Sequence, residues 1–179
     1  MTSEDRRTLL DDLRASREHL LAVVAGVSEE QFKRRPAFTP APAPSQPAER
    51  GEPTAGDWSI AEVLAHLLAS EQRLCVRLEA SLRGENPPEP ALSEEERSME
   101  ARLGRTVPVP QVIHGLLAAR RRLERALGGE DGAMATHEAD LTPEAIALVR
   151  ADVIAHEAEH RQQIEAVKQV LGAARPAPG

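Results

Sequence analysis

The sequence predicts an all-α protein built as a four-helix bundle, and three observations carry that expectation. Apolar residues recur at spacings of three and four over four separate stretches, the period of one helix face rather than the alternation of a strand. Aromatic residues are scarce, with one Trp, two Phe and no Tyr, and an aliphatic core suits helices better than sheets. No internal repeat or strand pattern competes with this reading. The first two connections are long enough for crossovers, so simple up-down-up-down order is not forced.

The first helix is expected over residues 3–26, where Leu9, Leu13, Leu20, Val24 and Val27 form a stripe between charged residues. His19, among those charges, reads as a solvated surface side chain. Ser28-Glu29-Glu30-Gln31 has the capping-box pattern and opens a short helical turn that Pro36 stops. Residues 36–57 are rich in Pro, Gly and polar residues and cannot bury enough apolar surface to fold, so they read as an extended connection. Ser59-Ile60-Ala61-Glu62 repeats the capping box and starts a helix that runs to Leu82, with Ile60, Val63, Leu67, Leu74 and Leu78 inward and His66 at the stripe's edge. Residues 84–90 end it, and Ser93-Glu94-Glu95-Glu96 opens a short acidic helical piece before Gly104.

The third long helix is expected over residues 108–127, with Val109, Val112, Ile113, Leu116, Leu117 and Leu123 inward. Arg120, Arg121, Arg122 and Arg125 read as its solvated face, with anion binding by one of them as the alternative. Gly128, Gly129 and Gly132 break the chain, and Thr142-Pro143 then caps the last helix with proline at its tolerated first position. Ile146, Val149, Val153, His156, His160, Val167 and Val170 lie along one side of it. Residues 1–172 therefore read as a single domain and 173–179 as a frayed tail.

A chain of 179 residues buries a core without staples. The lone Cys75 cannot pair within it, and no charged-apolar-small leader precedes Leu9, so a reducing cytoplasm is the expected compartment. No apolar run approaches the roughly 20 residues that span a bilayer. A net charge of -7 disfavours nucleic acid, whose phosphates want a basic surface, and leaves a small molecule or another protein as the expected partner.

The chemistry concentrates in the histidines. His156 and His160 lie one turn apart, at positions read as core, where an imidazole is costly unless both ring nitrogens are satisfied. Two such imidazoles can hold one metal ion. The best third candidate is His66, provided its helix lies alongside, with His114 in reserve. Three imidazoles leave a position open for water or substrate, and zinc, nickel, copper and iron all accept them. His156-Glu157-Ala158-Glu159-His160 also fits the H-E-x-x-H protease signature, but no histidine follows and no strand adjoins it, so that reading is disfavoured. Cys75, nine residues after His66, is half a turn out of phase and should face away.

Trp58-Ser59-Ile60-Ala61-Glu62-Val63-Leu64-Ala65-His66-Leu67, taken with His156-Glu157-x-x-His160-Arg161-x-Gln163-Ile164, resembles the DinB-like, or DinB/YfiT, superfamily. The resemblance implies up-down-down-up helix order, a divalent metal on His66, His156 and His160 with zinc or nickel leading, and a homodimer. It further implies thiol-dependent chemistry, as in bacillithiol transferases or a mycothiol-dependent maleylpyruvate isomerase. The Pro-rich residues 36–53 depart from the family pattern. The function expected is therefore a metal-dependent transferase or related enzyme using a low-molecular-weight thiol on a small-molecule substrate. The alternatives are a non-catalytic metal-binding or stress-related protein, and a plain bundle with packed, metal-free histidines.

Overall fold

The computed structural model describes residues 3–36, 58–85, 96, 100, 103–128 and 142–173. The expected Pro-rich connection from residue 37 onward, all but Glu96 of the acidic piece at 93–96, and the tail from 174 lie outside the described residues. The described secondary structure is helical throughout: α1 (Ser3–Val24), α2 (Glu29–Lys33), α3 (Ile60–Leu82), α4 (Val109–Ala126) and α5 (Pro143–Val149). The last of these continues through a π-helical segment (Arg150–Ala155) into α6 (His156–Ala173). No helix among the described residues is long and apolar enough to cross a membrane.

The helix starts follow from their caps. Ser28 Oγ accepts from the Gln31 amide while the Gln31 side chain accepts from the Ser28 amide, and Ser59 and Glu62 do the same for α3. Thr142 Oγ1 accepts from the Ala145 amide ahead of Pro143. Gly84 takes φ +77 just beyond α3, a left-handed conformation that glycine adopts without a Cβ penalty. Gly104 does not end the helical turn expected before it: residues 103–106 are helical and pass through it.

Pairings between helices define the topology. Asp12 meets Arg150, Ser16 meets Glu157 and Val23 meets Lys168, so α1 and the last helix run parallel. Leu68 meets Gly115, Glu71 meets Arg120 and Glu79 meets Arg122, so α3 and α4 are parallel too. Arg17 pairs with Glu71, while Leu9 and Leu13 pack with Leu74 and Leu78, which sets α1 antiparallel to α3. The four long helices thus run up-down-down-up, as the resemblance implies.

The core is divided in two along the bundle axis. One cluster holds Leu20, Val24, Ile60, Val63, Leu64, Val112, Leu116, Ile164 and Val167. The other holds Leu9, Leu13, Leu74, Cys75, Leu78, Leu123, Leu127, Val149 and Val153. Between them, at the intervening turn of every long helix, lies a buried polar layer of Ser16, Arg17, Glu71, Arg120 and Glu157. Arg120 is therefore not on the solvated face expected for it, whereas Arg121 and Arg125 are exposed. Its place on the Leu116–Leu123 stripe turns it inward, and buried carboxylates on two helices make that tolerable.

A further buried carboxylate, Glu62, ties the chain on either side to the start of α3. It accepts from the Ser59 amide, from Arg35 at 2.6 and 2.9 Å and from Arg105 at 2.7 Å. Burial pushes its pKa up, but the hydrogen bonds from Arg35, Ser59 and Arg105 outweigh that and bring it to about 2. A folded-state pKa below the ordinary 4.5 means that this stabilisation is present in full above about pH 4.5 and is lost as pH falls toward 2. Glu62→Gln should accordingly lower the melting temperature at neutral pH and flatten the acid limb of its pH profile. An acid limb identical to that of the wild type would show that Glu62 does not carry it.

Candidate metal centre

His66 lies in the second turn of α3, and His156 and His160 lie one turn apart at the start of α6. The packing of α3 against the last helix brings all three together. Nε2 of His156 is 3.2 Å from Nε2 of His66 and 2.9 Å from Nε2 of His160, and one ring nitrogen from each histidine falls within 4.8 Å of the others. Trp58, just ahead of the α3 cap, stacks nearly parallel to His160 at 6.3 Å between ring centroids and tilts against His66 at 5.1 Å.

The far side of the rings decides the tautomers. Nδ1 of His66 is 3.3 Å from the Glu100 carboxylate, and Nδ1 of His160 is 2.7 Å from Oε1 of Gln163. Both partners are acceptors, so each Nδ1 carries the proton and each Nε2 presents its lone pair to the cluster. His156 is held neutral, because burial, helped by the neighbouring His160 and His66, pushes its pKa down to about 4. At most one N–H is then available to satisfy three converging nitrogens. A cation satisfies all three. Tetrahedral zinc with Zn–N of about 2.0–2.1 Å sets its nitrogens about 3.3 Å apart, close to the spacings here, so the donor set fits a divalent ion.

The site differs from its sequence-level picture in one respect. His156 and His160 are half-buried on the flank of the last helix, and the core position after Val153 belongs to Glu157. A π-helical segment with i→i+5 bonding lies just ahead of them. Beyond it the buried positions are Glu157, Ile164, Val167 and Leu171. The two imidazoles face α3 and His66.

Glu157 consequently points away from the triad and into the polar layer. It accepts from Ser16 Oγ at 2.6 Å, Arg17 Nε at 2.7 Å and Arg120 Nη2 at 2.9 Å. Burial raises its pKa, but the Arg120 and Arg17 guanidiniums and the Ser16 hydroxyl outweigh that and hold it below the ordinary carboxylate value. It is not a general base facing a metal, which agrees with disfavouring the protease reading. His114 and His19 are exposed and stand apart from the cluster. Cys75 packs in the second core cluster with Sγ directed at the Ala119 carbonyl, and burial first, then Glu71, pushes its thiol up to about 12. As expected, it neither joins the site nor supplies a thiolate.

Sequence reasoning missed Glu100 and Gln163, the acceptors behind two of the rings. Gln163 had a signal, because three residues after His160 is one helical turn. Glu100 had none, being brought to His66 only by the fold.

The family model of the DinB superfamily matches residues 12–164, and the chain belongs to that superfamily. No curated protein and no solved structure matches the chain.

Removal of Glu157 would leave Arg17 and Arg120 buried with Glu71 as their one carboxylate partner in the layer. Glu157→Ala should cost about 3–5 kcal/mol of folding stability, read from denaturant unfolding of the metal-free protein. A loss below about 1 kcal/mol, the range of an exposed pair, would show that the layer is not closed in solution.

Proposed function

We propose that the protein is a divalent-metal-dependent enzyme in which His66, His156 and His160 hold the ion and a low-molecular-weight thiol is the co-substrate. The observation that carries the metal reading is the convergence of three Nε2 atoms, two of them fixed as acceptors by Glu100 and Gln163. Zinc and nickel are the leading ions, since both accept imidazole and have affinity for thiolate.

The thiol reading draws on three supports. One is the family resemblance. Another is the open position that a three-imidazole site keeps for an exchangeable ligand. The third is that the chain's own Cys75 is buried and protonated away from the histidines, so any thiolate comes from outside. Bound, the ion supplies Lewis acidity that lowers the thiol pKa for attack on an electrophile. The imidazoles orient that site, and Trp58 lends it an apolar wall on the side of His66 and His160. A small-molecule electrophile and a homodimeric assembly belong to the same reading.

Purified protein reconstituted with zinc should bind about one ion per chain. His66→Ala, His156→Ala and His160→Ala should each lose most of it, and full retention by all three would dismiss the site. Cobalt(II) substitution then tests the thiol, because thiolate ligation adds a charge-transfer absorption that imidazole and water lack. Titration with bacillithiol, mycothiol, glutathione and coenzyme A should give the band at low concentration for one of them. If none does while azide still reaches the ion, the site is open but not built for thiols, and a non-catalytic metal-binding role takes its place.

A further inference from the structure

We propose that Glu100 is the positioning residue of His66, and that the chain leading into α4 is seated on α3 so as to hold it there. Glu100 is largely buried, and a buried carboxylate is costly unless its oxygens are matched. Both are matched by α3: Oε2 lies 3.3 Å from Nδ1 of His66, and Oε1 accepts from Nη1 of Arg73. Nη2 of Arg73 donates to Ser70 Oγ at 3.0 Å. Residues 66, 70 and 73 share one face of the helix, so a single line of side chains grips the carboxylate.

The next turn of chain is seated one helical turn earlier on α3. A Cβ on Gly104 would stand 2.5 Å from Glu62 Cα and 2.8 Å from the Ala61 carbonyl oxygen. These are backbone atoms of a capped helix and cannot yield cheaply, so the close approach requires glycine for its lack of a side chain. Arg105 then donates to Glu62 at 2.7 Å. Glu62, His66 and Arg73 are thus three docking points along α3, and the imidazole is the middle one. An acceptor on Nδ1 fixes the ring's tautomer and orientation and raises the basicity of Nε2, which for a metal ligand is worth about 10–100-fold in affinity.

This inference rests on the reading of His66 as a ligand, and the experiment separates the two. Zinc affinity is measured by chelator competition for the wild type, His66→Ala, Glu100→Ala, Glu100→Gln and Gly104→Ala, with circular dichroism of each metal-free protein as the control for folding. The cobalt(II) d–d spectrum and the His66 Nδ1–H proton resonance of the zinc-loaded protein are recorded alongside.

Glu100→Ala is expected to weaken binding about 10–100-fold, to change the cobalt spectrum and to move or abolish the Nδ1–H resonance. Glu100→Gln should recover part of the affinity, since an amide oxygen still accepts. Gly104→Ala should fall between it and the wild type, although residue 104 has no group that reaches the ion. Glu100 variants that bind zinc like the wild type, with an unchanged Nδ1–H resonance, overturn the positioning role while the metal site stands. A wild type that binds no zinc, or a His66→Ala variant that binds it equally well, overturns the ligand reading and the inference with it.

Discussion

Two arginines and two glutamates buried at mid-height are the constraint on which the rest of the bundle depends. Arg17, Glu71, Arg120 and Glu157 come one from each long helix, and each guanidinium meets both carboxylates. Taking four charges out of water costs several kcal/mol per ion, so the layer adds little net stability over an apolar one. Its effect is on register. A slip of any helix by one residue would bury an unpaired charge, whereas the aliphatic clusters on either side would tolerate repacking far better. The layer therefore fixes the heights of the four helices relative to one another.

That fixed height determines where the histidines go. In an unbroken α-helix, Val149, Val153, His156 and His160 would share one face. The second core cluster claims Val149 and Val153, and the polar layer claims Glu157, one turn further on. The π-helical residues Arg150–Ala155 lie between these positions and wind the chain more widely than an α-turn does. His156 and His160 follow directly and face His66 on α3 and Trp58 just ahead of its cap. A cavity of about 10 Å³ lined by Arg17, Leu67, Glu71, Arg120, Asp152, Val153, His156 and Glu157 separates triad and layer. It has room for about one water and none for a substrate on the core side of the imidazoles.

Much of this was legible in the sequence. Both Ser capping boxes and Thr142 give the helix starts, because an N-cap and its N3 partner are local chemistry that tertiary packing seldom overrides. The stripes of α1 and α3 gave the core, and the spacing of His156 and His160 gave two-thirds of the triad. Arg120 was misread because a run of arginines looks solvated when each is judged alone. The signal was present, since Arg17, Glu71, Arg120 and Glu157 each interrupt an apolar stripe, two of each sign. The π segment has no comparable signature in Arg150-Ala151-Asp152-Val153-Ile154-Ala155, which holds no proline or glycine. Glu100 was illegible for a different reason: its meeting with His66 depends on a crossover connection, which periodicity does not describe.

The same argument explains why H-E-x-x-H carries a different meaning here. The motif fixes the separation of two imidazoles on a helix, and nothing within its five residues fixes which way the glutamate looks. That direction is decided by what stands on each side. For Glu157 three donors stand on the core side, and together they lower its pKa as well as turning it away. A carboxylate made a weaker base and aimed at two guanidiniums cannot take a proton from water at the triad, so the helix brings two imidazoles there without a base. A carboxylate does touch the triad, that of Glu100, but it lies at Nδ1 of His66, across the ring from the Nε2 that faces His156.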